Sequence, residues 1–402
     1  MKRENPYNTN SNNSRNWCVP CRPDRRVISH FKSNYFRMKS QFLLIILILT
    51  LGYKCVSAQT YTENKNILKS YKIYPGTILE INNKYGKIEL TTWNKDSVRI
   101  EANLSIKANS ASKVMKLRNS INFDFSATSH FIVAKTVFGG STNSVFNELR
   151  DLAESIVSGG SEVKIDYLVT TPKNINLRLT NKYGDVYADD IQGDIQIIVS
   201  NGGLKANDIS GNVSIDLAFG DGYVNKIDQG RLTLSYANFS LKEAGRLSLE
   251  SKSSKLSIEN MESLKIQSKR DKLHLGSVKI LIGESYFSDV VVSNLVEELN
   301  INSKFGHLTL DNIKRGFSFI NITSELTDMD FFFERNSTFQ YDITYYKDAF
   351  IRLPKDAVKA EEKAASNDLT QKLIYGHIGS AESSSKVKVI ASKKAMVNLF
   401  IK

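Results

Sequence analysis

Cysteine is nearly absent from this sequence: three occur in 402 residues, at positions 18, 21 and 55. A chain cut after Ala58 would retain none, so no disulfide could hold it together, and burial with backbone pairing must do so. A long apolar run is missing too. The stretch from Phe42 to Leu51 is well short of the roughly 20 residues a membrane-spanning helix needs. Also missing are a GxSxG elbow, an HExxH zinc motif, a P-loop and a dinucleotide glycine fingerprint, which removes the motif-borne hydrolase, metalloprotease and nucleotide-binding readings.

The excess of positive charge is local. The whole chain carries a formal +12, yet residues 1–58 hold ten basic and two acidic residues, leaving 44 and 40 in the remainder, a net of +4. A concentrated basic surface is what nucleic-acid binding requires, so no nucleic-acid partner is expected. Residues 38–58 read as a secretory signal: Lys39, the apolar run, then small residues ending at Ala58, with cleavage before Gln59. Lys54 before Cys55 does not suit a lipoprotein cleavage site. No stable transmembrane segment is expected after cleavage. Residues 1–37 are polar and basic without apolar periodicity, and read as a disordered extension or a misassigned start. Cys18-Val19-Pro20-Cys21 lacks the partners of a zinc or redox site.

What is present is repetition. The words NNKYGKIEL at 82–90, TNKYGDVYA from 180 and NSKFGHLTL at 302–310 are nearly one word written three times. Apolar-x-apolar triplets recur from Val186: Ile195 with Ile197, Leu204 with Ala206, Val213 with Ile215, a weaker Tyr223 with Asn225, Leu232 with Leu234, Phe239 with Leu241, Leu247 with Leu249, continuing to Phe317 with Phe319. Period two within each triplet predicts a strand with one face buried. The step between triplets is usually eight or nine residues, and two steps separate Phe219 from Tyr236. Each repeat is then two short strands and two turns, which must stack to bury its apolar face.

The sequence therefore predicts an all-β fold: a single-stranded parallel β-helix, or solenoid, of about 17–18 residues per repeat with short helical insertions. An antiparallel sandwich or meander is the alternative, since strands at this spacing occur there too; most connections, however, lack the Asn-Gly or Asp-Gly of tight hairpins. The repeat corners are assigned to Tyr85-Gly86, Tyr183-Gly184 and Phe305-Gly306, with Tyr286 also placed at a corner. Glycine there is expected to supply the positive φ and the aromatic to reach the next coil.

The opening strand Leu79-Glu-Ile-Asn-Asn-Lys-Tyr-Gly86, the following Thr92-Trp93-Asn94-Lys95-Asp96 with Val98-Arg-Ile100, and the stacked Gly-bounded repeats behind a signal ending in Ala-Gln together resemble the adhesin-like β-strand repeat proteins of bacterial envelopes, those of Bacteroidetes especially. The resemblance covers most of residues 70–402 and implies a parallel β-helix without catalytic residues. The chain departs from that pattern by insertions at about 139–160 and 355–372. Both are predicted to be helical. In the first, Ser144 caps a stripe of Val145, Leu149, Leu152 and Ile156 ending at Gly159-Gly160; in the second, Ala and Glu dominate 355–365. The organisation read from the chain is 1–37, the signal 38–58, an N-terminal β region 59–175 with a helical insertion 144–157, a solenoid core 176–353, and a helical insertion with closing β coils over 354–402.

The acids and histidines are the candidates for chemistry. Asp185, Asp189, Asp190 and Asp194 fall within ten residues, and paired carboxylates serve glycosidases; they lie between triplets, where Asp also suits turns. The GGxGxD calcium repeat is missing. Of His130, His274, His307 and His377, a solenoid could align His307 and His377 along one edge. The expectation is no catalytic, cofactor or metal site, and an exported periplasmic or surface protein whose repeated polar surface binds a glycan or an envelope or host protein. A periplasmic structural or stress-linked module and a carbohydrate-active β-helix enzyme are the rivals.

Overall fold

Parallel pairing at a fixed interval builds this chain. The computed structural model describes residues 60–139, 160–364, 370–392 and 394–402; Ala58, Gln59 and the helix expected at 144–157 lie outside them. Among the described residues there are 23 strands and one helix.

The N-terminal region comprises β1 (Tyr61–Lys72), β2 (Ile78–Lys84), β3 (Ile88–Thr92), β4 (Ser97–Ala108), α1 (Ala111–Ser120), β5 (Ile121–Ala127), β6 (Phe131–Phe138) and β7 (Ser161–Thr171). Strands β2 and β3 form the first coil, flanked on the far side by β6 and β7, which also run parallel to them. Antiparallel strands then finish this end: β5 on β6, and β4 with β1 on β7. Helix α1 was not anticipated. Ser110 begins it, its Oγ accepting from Lys113 N at 3.3 Å, and Val114 and Leu117, three apart, are its buried residues.

The second coil is β8 (Asn176–Lys182) with β9 (Val186–Ala188), followed by β10 (Ile195–Ser200). From there the coils run as long bent strands, β11 (Leu204–Ala218), β12 (Asp221–Ser235), β13 (Asn238–Lys252), β14 (Lys255–Lys269), β15 (Lys272–Tyr286), β16 (Asp289–Ile313) and β17 (Phe319–Phe333). Each pairs in parallel with the next, Leu247 on Leu264 on Leu281 on Leu299 on Ile320. These residues are buried, each worth about 1.5–3 kcal/mol relative to exposure. The alternation of buried and exposed positions along β13 and β14 is the period-two signal made physical. The fold is the parallel β-solenoid, and the antiparallel pairing is confined to its two ends.

Two triplets read from sequence have the wrong phase. Inward positions on β12 are Gly222 and Val224, so Tyr223 points to solvent; the ring of Phe239 fills the space a Cβ on Gly222 would need. At 317–319, buried Phe317 precedes the strand, whose inward residues are Ile320 and Ile322.

The C-terminal region departs further from expectation. It contains β18 (Phe339–Tyr346), β19 (Phe350–Arg352), β20 (Val358–Ala364), β21 (Gln371–Ile378), β22 (Lys386–Ala391) and β23 (Met396–Ile401). The expected helix at 355–365 is largely the strand β20, paired antiparallel with β21; helix propensity in an Ala/Glu stretch is worth tenths of a kcal/mol per residue, less than the pairing this end makes available. Nor do the last residues form the outermost coil. Strand β22 lies between β17 and β18, parallel to both, and β23 between β17 and β19. Phe317, Phe333 and Phe339 pack against one another there, Phe333 and Phe339 at 4.2 Å between ring centroids.

Candidate functional site

The corner that the repeated words encode is built by a left-handed residue, and that residue is not the glycine. Tyr85, Tyr183, Phe219, Tyr236, Phe287 and Phe305 have φ between 50° and 66°, and Asn201, Ser253, Arg270 and Leu326 occupy the same corner of other coils with φ between 50° and 60°. Non-glycine residues adopt this region at a cost; here each corner N–H is used, Tyr85 donating to Lys182 O and Tyr183 to Ser200 O, both at 2.9 Å. Glycine follows for a different reason. A Cβ on Gly184 would lie 1.9 Å from Gly86 O, and one on Gly202 would lie 2.1 Å from Gly184 O. The glycine lets one coil settle on the last.

At the same corner, Asn181 Nδ2 donates to Gly86 O and Asp185 O at 2.8 and 3.0 Å, and Asn83 Nδ2 to Ile165 O at 2.8 Å. Later coils replace this with a buried serine and aspartate set. Asp271 accepts from Ser254 N, Lys269 N and Ser268 Oγ at 2.7 to 2.9 Å, and its own N–H donates to Ser288 Oγ at 3.0 Å.

The outward rings form a broken stack. Tyr85 and Tyr183 lie at 5.4 Å, Phe219 and Tyr236 at 5.2 Å, Phe287 and Phe305 at 4.7 Å, each pair within 13° of parallel. The sequence-assigned corners Tyr85 and Tyr183 thus meet on adjoining coils, while Phe305 stands near the other end of the stack. Tyr286 precedes the corner, which Phe287 occupies; the signal for Phe287 was its 17-residue spacing from Arg270. Tyr183, Phe219, Tyr236 and Phe287 are each about half exposed. Lys84 sits 4.6 Å from the Tyr85 ring and Lys252 5.9 Å from that of Tyr236, a cation–π geometry. Beside this corner runs a groove of about 700 Å³ lined by Glu250, Glu284, Lys252, Lys269, Tyr286 and Lys304 among others.

The acidic residues staple coils together. Asp185 Oδ1 accepts from Gly203 N at 2.7 Å, Asp189 Oδ2 from Thr92 N at 3.2 Å and Asp194 Oδ1 from Asn212 N at 3.0 Å. Lys173 Nζ donates to Asp190 at 2.9 Å and holds that carboxyl below its usual range. His307 and His377 are not brought together: His307 pairs with Asp289 at 3.0 Å, and His377 lies on β21 opposite Gln340 and Val358. His274 is exposed on β15. His130 bonds its neighbour Ser129 at 2.8 Å. Among the described residues no group of three or more His, Cys, Asp or Glu is placed to hold a metal ion, and no helix is long and apolar enough to cross a membrane.

The register and corners define the class, a parallel β-solenoid finished by antiparallel strands. No family model matches the chain, and no curated protein does. Solved structures of candidate adhesins are among its structural neighbours. One, a cell adhesion protein from Clostridium sporogenes, has 10% identity, covers 85% of this chain and 100% of its own, and gives a TM-score of 0.16. Adhesins from Parabacteroides distasonis and Bacteroides fragilis are each 12% identical; they cover 66% and 83% of this chain, 92% and 97% of their own, with TM-scores of 0.27 and 0.20.

Proposed function

We propose that this chain is exported by the signal at 38–58, cleaved between Ala58 and Gln59, and serves as a non-catalytic adhesin-like solenoid of the bacterial envelope, binding a glycan or an envelope or host protein. The observation that carries the reading is the corner: aromatic rings stacked in pairs on adjoining coils, four of them about half exposed, with lysines over Tyr85, Tyr183 and Tyr236. Rings held this way lose little entropy on binding, and repetition along a stack converts weak contacts into avidity. The non-catalytic part is supported by the acids near Asp185, each of which is engaged in tying one coil to the next.

The test is protease shaving of intact cells, read with an antibody against residues 59–402. Clipping on intact cells is the expected result. Protection that persists until the outer membrane is opened would overturn surface display and turn the search to periplasmic partners.

A further inference from the structure

Beside the corner, the missing side chain of Gly203 leaves a cleft of about 560 Å³, lined also by the backbone of Gly202, Gly220 and Gly222, within the range of small-ligand sites, about 300–1,000 Å³. Its walls follow from the strand register. Tyr187 pairs with Lys205 and Lys205 with Tyr223, so two outward tyrosines stand two coils apart, about 10 Å at the strand spacing, with a lysine between. Two residues before Tyr187, Lys205 and Tyr223, on the same three coils, come Asp185, Gly203 and Asp221. The glycine empties the row between two carboxylates. Phe219 closes the corner side.

We infer that this cleft is a saccharide subsite that takes a pyranose ring of a neutral glycan, stacked on Tyr187 or Tyr223 and hydrogen-bonded through its hydroxyls to Asp185 and Asp221. The inference rests on the adhesive reading for its place in the envelope and names the ligand class for that surface. A pyranose presents C–H bonds on its faces and hydroxyls around its rim. Exposed aromatic faces match the first, being negative in their quadrupole, and charged acceptors beside them match the second. Tyr187, Phe219 and Tyr223 are between 39% and 56% exposed, so their rings remain available.

The carboxylates are already oriented. Asp185 Oδ1 accepts from Gly203 N at 2.7 Å and Oδ2 from the Tyr187 hydroxyl at 3.1 Å, while Asp221 Oδ1 accepts from Asn238 Nδ2 at 2.7 Å. A carboxylate has about four acceptor positions, which leaves capacity on both for sugar hydroxyls. Two carboxylates to one ammonium disfavour uronic and sialic acids, whose charge would face Asp185 and Asp221.

The experiment uses the intact protein with cello-, manno- and chitohexaose as probes, a galacturonate hexamer as the acidic comparison, and saturation-transfer NMR with titration as the readout. Gly203 is not left-handed, and a Cβ there meets only the movable Asp185 Oδ1 at 3.1 Å among contacts shorter than 3.5 Å, so Gly203→Gln fills the cleft. The expected result is binding of at least one neutral hexamer and not of the galacturonate. Affinity should fall about tenfold in Tyr223→Ala, the scale of one lost ring contact, and fall at least as far in Gly203→Gln, with no change in Phe350→Ala, an exposed ring on β19 outside the corner stack. Should Gly203→Gln melt early, Tyr223→Ala, which alters an outward side chain, decides alone. The proposal is overturned if no neutral hexamer binds at millimolar concentration, if the galacturonate binds best, or if Phe350→Ala weakens binding as much as Tyr223→Ala. Surface display does not enter this assay. Binding in solution by a protein that resists shaving would retain the subsite and reject the surface reading, and the reverse pattern would do the opposite.

Discussion

Tyr85 and Tyr183 stack with ring centroids 5.4 Å apart and planes 13° from parallel, although residues 93–175 separate their coils in the chain. Both are left-handed, and the glycine after each sits against a neighbouring backbone: a Cβ on Gly184 would meet Gly86 O, and one on Gly86 would meet Ile165 O of β7. The pair shows what the repeated word specifies: a bend made by the aromatic and a close approach made by the glycine.

Gly184→Ala should destabilise the protein by about 1–3 kcal/mol or more, because its methyl would lie 1.9 Å from Gly86 O, a backbone atom that cannot rotate away. Urea denaturation reads the change. Gly76→Ala makes a useful contrast: nothing surrounds its Cβ, and its φ of 82° isolates the cost of left-handed backbone alone.

Leu256→Asp should cost several kcal/mol, since Leu256 is buried on β14 and an unpaired carboxylate would enter the stacked core. Ser257→Asp, one residue on and outward, should change stability by less than about 0.5 kcal/mol. Thermal melts of both variants test the strand phase; equal losses would contradict it.

Asp271→Ala removes the acceptor for Ser254 N, Lys269 N and Ser268 Oγ in a nearly sealed site. Each donor left unsatisfied costs about 1–3 kcal/mol, so the variant should lose well over 1 kcal/mol. Asp271→Asn retains one acceptor oxygen and should lie between it and the native protein in a denaturant titration.

Alkaline pH should destabilise the chain through Tyr167. Burial pushes its phenol from 10.0 up to about 12, opposed by the hydrogen bond with Thr136. The folded state therefore binds the proton more tightly than the unfolded one. That contribution is fully present below pH 10 and is lost as pH rises to about 12, about 2–3 kcal/mol in all. Tyr167→Phe should flatten stability over this window and remove one late-titrating phenol from the phenolate absorbance.

The repeat was legible because it is local. Leu247 with Leu249 and Leu256 with Ile258 alternate with Ser and Lys, and only a half-buried strand satisfies that pattern. The 17-residue interval was equally open, since parallel coils of equal length must place like residues on like positions. Tyr223 misled because its inward neighbour is Gly222, whose missing side chain is replaced by the Phe239 ring one coil away. The cleft at Gly203 escaped notice for a related reason: Asp185, Tyr187 and Tyr223 become its walls only once three coils are in register.

The sequence by itself determined the coil, through the period of its apolar residues and the aromatic-glycine pairs at Tyr85, Tyr183, Phe219 and Phe305. It did not determine how the stack ends. Whether Val358–Ala364 is helix or strand depends on the open edge of β21 beside it. That β22 and β23 lie between β17 and the β18–β19 coil depends on which exposed edge they meet. A strand edge carries backbone donors and acceptors with little side-chain identity, so the choice of partner belongs to the assembled structure.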